Sequence, residues 1–255
     1  MLTRVQLLGV EIDPLSMAQA VEQLLAWTRE GQGRCRYVVT PNVDHVVLLR
    51  HHAGLRAAYD DADLILADGT PVVWAARFLN KPLPEKVPGS DLVPALFDKV
   101  PAFEPRRVYL LGAGPGVAER AATSIQARWP AVQVVGTYSP PLGFEKNPAE
   151  NAAILARIAT AAPDILVVGL GAPKQELWVH AHRQELKAAV ALCVGATIDF
   201  LAGEKPRAPQ WMRSSGLEWL HRVWTEPRRL AGRYARDAFI FPQIVAQDWM
   251  RGGKA

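Results

Sequence analysis

DILVVGLGAPKQE, residues 164–176, is the stretch that decides the fold. Its unbroken apolar run, Ile165 to Val168, is typical of a strand buried on both faces of a parallel sheet. Gly169 and Gly171 end the run, and Pro173 stands where a helix would begin. The polar residues of the predicted first helical turn are Lys174, Gln175 and Glu176. Because ligands of open α/β sheets bind at the carboxyl ends of the strands, this joint is either a capped turn or part of a binding site.

The same strand–loop–helix joint recurs along the chain, which favours the binding-site interpretation. Further strands are predicted to end at residues 40–42, 68–71, 112–116 and 195–200. Strands therefore alternate with helices, and this order predicts an α/β fold with a mainly parallel sheet and helices on both faces. We also predict a single strand over Val5–Ile12, and a helix for which Thr70 is the N-cap and Pro71 the first residue.

Charge is distributed unevenly along the 255 residues, whose net charge is +4. Residues 205–236 hold eight Lys or Arg and two Glu, a surplus of six, so the rest of the chain is close to −2. A near-neutral body with a basic tail differs from a generally basic nucleic-acid binder. The N-terminal stretch has no signal-peptide layout. No run of about 18 apolar residues occurs, so no membrane-spanning helix is expected. The two cysteines lie in strand-like runs and indicate a reducing compartment. We therefore expect a cytoplasmic protein.

Residues 112–116, GAGPG, form a glycine loop of the kind that cradles a diphosphate. The spacing is G-x-G-x-G and differs from the G-x-G-x-x-G of dinucleotide sites. The next strand ends in Val135-Gly136-Thr137, without the acidic residue that would hold a ribose hydroxyl. A nucleotide ligand is consistent with this loop, whereas NAD is not favoured. The alternative is a Rossmann-type oxidoreductase that uses NAD or a flavin.

Asp68 follows a predicted strand and is either a helix cap or a general base that faces a cleft. Thr40 and Asn42 end another strand and are expected at the same cleft. Asp61 and Asp63 form a D-x-D pattern, which some glycosyltransferases use to hold a metal, but here the pattern precedes a strand. We therefore predict no metal site.

The tail interleaves arginine with the aromatic residues Trp211, Trp219, Trp224 and Tyr234. Three interpretations remain open: a helix packed on the core, a nucleic-acid surface, or a surface for anionic membranes. Further apolar residues at 239–241 and 249–250 favour the membrane over nucleic acid.

Together these motifs resemble the WecG/TagA/CpsF family of bacterial glycosyltransferases over nearly the whole chain. The segments that carry the resemblance are TPNVDHV, ILADGTPVVWA, KVPGSDL, VYLLGAGPG, SPPLGF, VVGLGAPKQE, VGATIDFLAG, RAP and LEWLHRVWTEPRRL. The resemblance implies a Rossmann-like core over residues 1–203 and a basic, helical, membrane-docking appendage over residues 204–255. It also implies inverting transfer of a sugar from a UDP-sugar to a sugar on a polyprenyl diphosphate, with neither metal nor cofactor.

The resemblance further assigns roles to residues of this chain. It implies that Asp68 is the catalytic base and that Thr40, Asn42 and Gln175 complete the catalytic set. Where the family often has arginine after the helix that follows the aspartate, this chain has Lys86, which keeps the charge but loses the bidentate fork. The residues expected to bind the nucleotide diphosphate are Gly112, Gly114, Gly171, Lys174, Glu176, Gly195, Asp199, Lys86 and Arg207. Those expected at the membrane or acceptor are Arg213, Arg222, Arg228, Arg229, Trp219 and Trp224.

The expected partners are the UDP-sugar, the lipid-linked acceptor and the anionic inner face of the cytoplasmic membrane, without nucleic acid. A homo-oligomer is left open. The sequence leaves the donor sugar open among N-acetylmannosamine, its uronic acid and a related hexose, in surface polysaccharide or teichoic acid biosynthesis.

Overall fold

A computed structural model describes residues 3–31 and 33–252, except for the side chains of Ser214 and Arg229. The expectation for Arg229 therefore lies outside the described side chains. The strands are β1 Val5–Leu7, β2 Val10–Ile12, β3 Arg36–Val39, β4 Leu64–Ile65, β5 Arg106–Gly112, β6 Val132–Tyr138, β7 Ile165–Gly169 and β8 Val190–Cys193. The helices are α1 Met17–Arg29, α2 Val43–Leu48, α3 Ala53–Asp60, α4 Thr70–Phe78, α5 Gly89–Asp98, α6 Val117–Arg128, α7 Pro148–Ala161, α8 Lys174–His182, α9 Thr197–Leu201, α10 Gln210–Ser214, α11 Glu218–Thr225 and α12 Pro227–Gly252, with a 3-10 turn at Phe144–Lys146.

Six of these strands form one parallel sheet in the order β4-β3-β8-β7-β5-β6. The predicted apolar strand, β7, lies inside the sheet and pairs with β5 on one side and β8 on the other. Val168 packs into one buried cluster, whereas its neighbour Val167 packs into a second cluster on the opposite face. Both faces are covered, which explains the unbroken apolar run and confirms the predicted α/β architecture.

The N-terminal segment differs from the prediction of one strand over Val5–Ile12. It is a hairpin in which β1 and β2 pair antiparallel, separate from the main sheet. The turn residues Leu8 and Gly9 have φ of 55° and 78°, so the chain reverses where the apolar pattern gives no break. The prediction was wrong because the turn falls on Leu8, and an apolar residue such as leucine rarely adopts a positive φ.

Within residues 204–252, the tail packs against the body through its helices. Leu230 and Ile244 of α12 are buried, and α12 lies along α2. Close to the end of α12, the Asp248 carboxylate accepts a hydrogen bond of 2.8 Å from the backbone N–H of Leu8. None of the helices described in residues 3–31 and 33–252 is both long and apolar enough to cross a membrane.

Candidate active site

Asp68 lies just beyond β4, at the carboxyl edge of the sheet. Its backbone N–H donates to the Pro41 carbonyl at 2.9 Å, which joins the ends of β3 and β4. The next residue, Gly69, turns the chain into α4 with φ of 96°, a conformation that favours glycine. Helix α4 therefore begins at Thr70, with Gly69 in the cap position and no side-chain cap. The prediction that Thr70 is the N-cap was wrong by one residue.

The Asp68 carboxylate faces a cavity of about 270 Å³ that has two walls. We call the wall from the body the core wall; its polar residues are Asn42, Asp44, Asp68, Thr70 and Lys86. We call the wall from α11 and α12 the tail wall; its polar and aromatic residues include Glu218, Trp219, Arg222, Arg233, Tyr234 and Asp237. Gly216 brings the tail onto the core wall so closely that an added Cβ would lie 2.8 Å from Thr70 Cγ2.

The environment of Asp68 changes the pKa of its carboxyl group. Burial raises the pKa of Asp68 to about 6, while the nearby Arg222 opposes this rise and Glu218 adds to it. Desolvation disfavours the charged carboxylate, and the guanidinium compensates only in part. The group is thus deprotonated at neutral pH but more basic than an exposed aspartate, which suits a general base.

Arg222 is held at the cavity by two contacts. Its guanidinium donates to Glu218 at 3.1 Å, one helical turn away, and its centre lies 5.4 Å from the ring centroid of Phe200. Although burial acts in the opposite direction, the carboxylates of Glu218 and Asp68 raise the pKa of Arg222. The side chain is therefore a fixed cation beside the carboxylate.

Lys86 joins the core wall to the tail. Its ammonium group donates to the backbone carbonyl of Arg213 at 2.7 Å, and its positive charge lowers the pKa of Asp68. Arg207 and Arg213, by contrast, both pair with Asp91 at the start of α5 and do not line the cavity. Of these three expected cations, Lys86 lines the cavity, whereas Arg207 and Arg213 are paired with Asp91 away from it.

The polar residues expected beside Asp68 fall into two groups, one at the cavity and one buried behind it. Asn42 lines the cavity and caps α2, whereas Thr40 and Gln175 are buried behind it. The Thr40 hydroxyl lies 3.5 Å from the Cys193 carbonyl, and the Gln175 amide oxygen accepts a bond of 3.1 Å from Gly195 N–H. These side chains tie the ends of β3, β7 and β8 together.

The residues expected to bind diphosphate lie along the carboxyl edge of the sheet. Gly112 approaches the β7 loop so closely that a Cβ there would lie 2.5 Å from the Gly169 carbonyl oxygen. Lys174 pairs with Glu145 at 3.4 Å, and Asp199 faces Lys205 at 3.9 Å. Glu176 has no exposed surface, and its Oε1 lies 3.3 Å from Nε2 of His45.

The two acids of the D-x-D pattern have protein partners. Asp61 pairs with His180 and Arg183, while Asp63 accepts a hydrogen bond from the backbone N–H of Tyr37. Within the described ranges, no group of three or more His, Cys, Asp or Glu side chains is arranged to hold a metal ion.

Sequence reasoning missed several residues of the site. Arg233, Tyr234 and Asp237 line the cavity from α12, and Asp44 lines it from α2. Arg233 and Asp44 form an ion pair of 3.4 Å between positions 189 residues apart. The density of arginine and aromatic residues identified the tail, but no local pattern identifies which of its residues face Asp68.

Comparison with known proteins identifies the relatives of the chain. The Glycosyl transferase WecG/TagA/CpsF family matches residues 5–255. The chain is 31% identical over 251 residues to a protein of Staphylococcus aureus strain NCTC 8325 / PS 47, covering 98% of this chain and 96% of the relative. That protein is named N-acetylglucosaminyldiphosphoundecaprenol N-acetyl-beta-D-mannosaminyltransferase. A protein of the same name from strain MRSA252 matches with the same identity and coverage. The chain therefore belongs to the WecG/TagA/CpsF family of glycosyltransferases.

Proposed function

We propose that this protein transfers a sugar of the N-acetylmannosamine type from a UDP-sugar to a sugar carried on a polyprenyl diphosphate, with inversion at the anomeric carbon. The acceptor class follows from the name of the relatives. The observation that carries the proposed chemistry is the arrangement of Asp68 in a two-walled cavity beside Arg222, Lys86 and Arg233. A base next to several cations suits a reaction that removes a proton and releases a diphosphate.

In the proposed reaction, Asp68 accepts the proton of an acceptor hydroxyl. The hydroxyl oxygen then forms a bond to the anomeric carbon, and the bond from that carbon to the diphosphate oxygen breaks with its electron pair leaving on UDP. Attack from the face opposite to the leaving group inverts the configuration. The pKa of about 6 supports the role of Asp68, because the carboxylate is free to accept a proton at pH 7.

The departing diphosphate needs positive charge or N–H donors. We assign the charge to Arg222 and Lys86, and we assign N–H donors to the loops at residues 112–116 and 170–173, which precede α6 and α8. We infer that these groups replace a divalent metal. Complete loss of transfer in excess EDTA, with recovery on addition of manganese or magnesium, would contradict this part of the proposal.

The proposed location is the inner face of the cytoplasmic membrane, with the tail as the docking unit. Three exposed aromatic side chains of the tail support this: Trp224 is 84% exposed, Phe239 74% and Trp249 60%. On α4, directly after the Asp68 loop, Trp74 and Phe78 are also exposed. Aromatic residues with nearby arginines are typical of a surface that rests in anionic headgroups.

Incubation with a panel of UDP- and GDP-sugars and a short-chain polyprenyl diphosphate that carries N-acetylglucosamine tests the proposal. We expect a new disaccharide only with a UDP-linked donor, with the anomeric configuration inverted relative to that donor. Hydride transfer with NAD, without any glycosyl product, would contradict it.

A further inference from the structure

A buried pair of ionisable side chains, His45 and Glu176, lies behind the core wall and has no role in the mechanism so far. His45 is 6% exposed and Glu176 is 0% exposed. Nε2 of His45 lies 3.3 Å from Oε1 of Glu176. Ionisable groups this deep are rarely found unless they are paired, because removal from water is costly.

Both ring nitrogens of His45 face acceptor oxygens. Nε2 faces Glu176, and Nδ1 lies 2.9 Å from the amide oxygen of Asn42. A neutral imidazole carries only one N–H, so donation from both nitrogens requires the imidazolium form. The alternative contact, in which Nδ1 would accept from the backbone N–H of Asn42, is longer at 3.4 Å.

The surroundings of His45 stabilise its charge. Four groups face it: Asp44 on its own helix, Tyr59 on α3, Glu176 on α8 and Asp68 after β4. Burial opposes the charge, but the hydrogen bond and negative charge of Glu176, together with the negative charges of Asp44 and Asp68, outweigh it and raise the pKa of His45. The first oxygen of Glu176, Oε1, contacts both His45 and Gln175, whereas the second oxygen has no hydrogen-bond partner among the described residues.

The same contacts fix the orientation of Asn42. Its amide oxygen accepts from the ring of His45 and from the backbone N–H of His45 at 3.3 Å. The amide nitrogen has two donor hydrogens, and it is therefore the atom of Asn42 that can donate into the cavity. Glu176 is held in turn by Gln175, whose amide nitrogen donates to it at 2.8 Å. A continuous chain of hydrogen bonds thus runs from the end of β8 to the cavity.

We propose that His45, held as an imidazolium by Glu176, is a positioning residue that turns the amide nitrogen of Asn42 into the cavity as a fixed donor. The donor faces an oxygen of the substrate, either a sugar hydroxyl or a phosphate oxygen. The buried positive charge also lowers the pKa of Asp68. The effect on turnover rests on the proposed function, whereas the charge of His45 can be measured without substrate.

Nitrogen-15 NMR of the imidazole rings in the full-length protein tests the charge. We expect His45, assigned by its loss in His45→Gln, to carry protons on both ring nitrogens at pH 8. His52 is an internal control, because its Nδ1 accepts a hydrogen bond of 3.1 Å from Leu55 N–H. In Glu176→Gln, His45 should keep only one of its two ring protons at pH 8. A single ring proton on His45 in the unaltered protein overturns the inference, whatever its activity.

Kinetics of His45→Gln tests the positioning role. We expect kcat/KM to fall about tenfold to a hundredfold, as for small misplacements in an active site. The acid limb of the pH–rate profile should also move to higher pH, because the charge that lowered the pKa of Asp68 is gone. A purely structural role would lower the melting temperature without moving that limb. An unmoved limb, or the same losses in the control His52→Gln, overturns the inference. Near-normal turnover in Asp68→Asn would instead contradict the proposed base and leave the NMR result standing.

Discussion

The two walls of the cavity are built differently. On the core wall, Asp68 and Asn42 are held by backbone pairing at the strand ends and by a helix cap. On the tail wall, α11 has no buried residue, and its arginine is held by one ion pair and one ring contact. If the proposed function holds, the core wall positions the base and contributes Lys86, while the tail wall adds Arg222 and Arg233 and closes the site.

The largest expected effect comes from the core wall. Asp68→Asn keeps the shape and one hydrogen-bond acceptor but removes the base, so turnover should fall about 10²–10⁴-fold. UDP binding and the melting temperature should change little, which isothermal calorimetry and thermal unfolding would show. Asp61→Asn is the matched control, because Asp61 is paired with His180 and Arg183 outside the cavity. Equal losses in both variants would remove Asp68 from the mechanism.

On the tail wall, Arg222→Ala should lower turnover about 10²-fold, because it removes one preorganised cation from the departing diphosphate. The measurement uses a soluble acceptor analogue, so that membrane docking does not contribute. Arg228→Ala, which changes an exposed arginine, is the control and should retain its rate with that analogue. If Arg222→Ala also retains it, Arg222 supplies no charge to the reaction.

A third pair of variants separates docking from chemistry. Trp224→Ala and Phe239→Ala should each weaken binding to anionic vesicles about tenfold, because each removes a large exposed aromatic side chain from the lipid interface. Cosedimentation with vesicles gives the affinity, and turnover with the soluble analogue should stay the same. Unchanged vesicle binding would mean that these side chains do not contact lipid.

The smallest effect concerns the contact that joins the walls. Asp44 accepts ion pairs from Arg233 and Arg236 of α12. Asp44→Asn should lower kcat/KM about threefold and increase hydrogen exchange in α12, because partly exposed pairs contribute about 1 kcal/mol or less. No change in exchange would show that the Asp44 ion pairs do not hold α12.

The sequence predicts the core wall better than the tail wall. Asn42 and Asp68 follow short apolar strands, and local signals for strand ends and helix caps place them at one edge of the sheet. The approach of Arg233 to Asp44 depends on contacts between residues 189 positions apart, which no local pattern encodes. The N-terminal hairpin escaped prediction for a different reason, because Leu8 adopts an unusual backbone conformation. The predicted fold and family are thus confirmed, whereas the roles of the site residues remain predictions.

The pH dependence of kcat/KM with a UDP-sugar and a soluble acceptor analogue tests the central claim most directly. If Asp68 is the base, the rate should be constant above its pKa of about 6 and fall tenfold per pH unit below it, as the carboxylate becomes protonated. In Asp68→Asn, the residual rate should lose this acid limb. An acid limb that persists unchanged in Asp68→Asn would contradict the account.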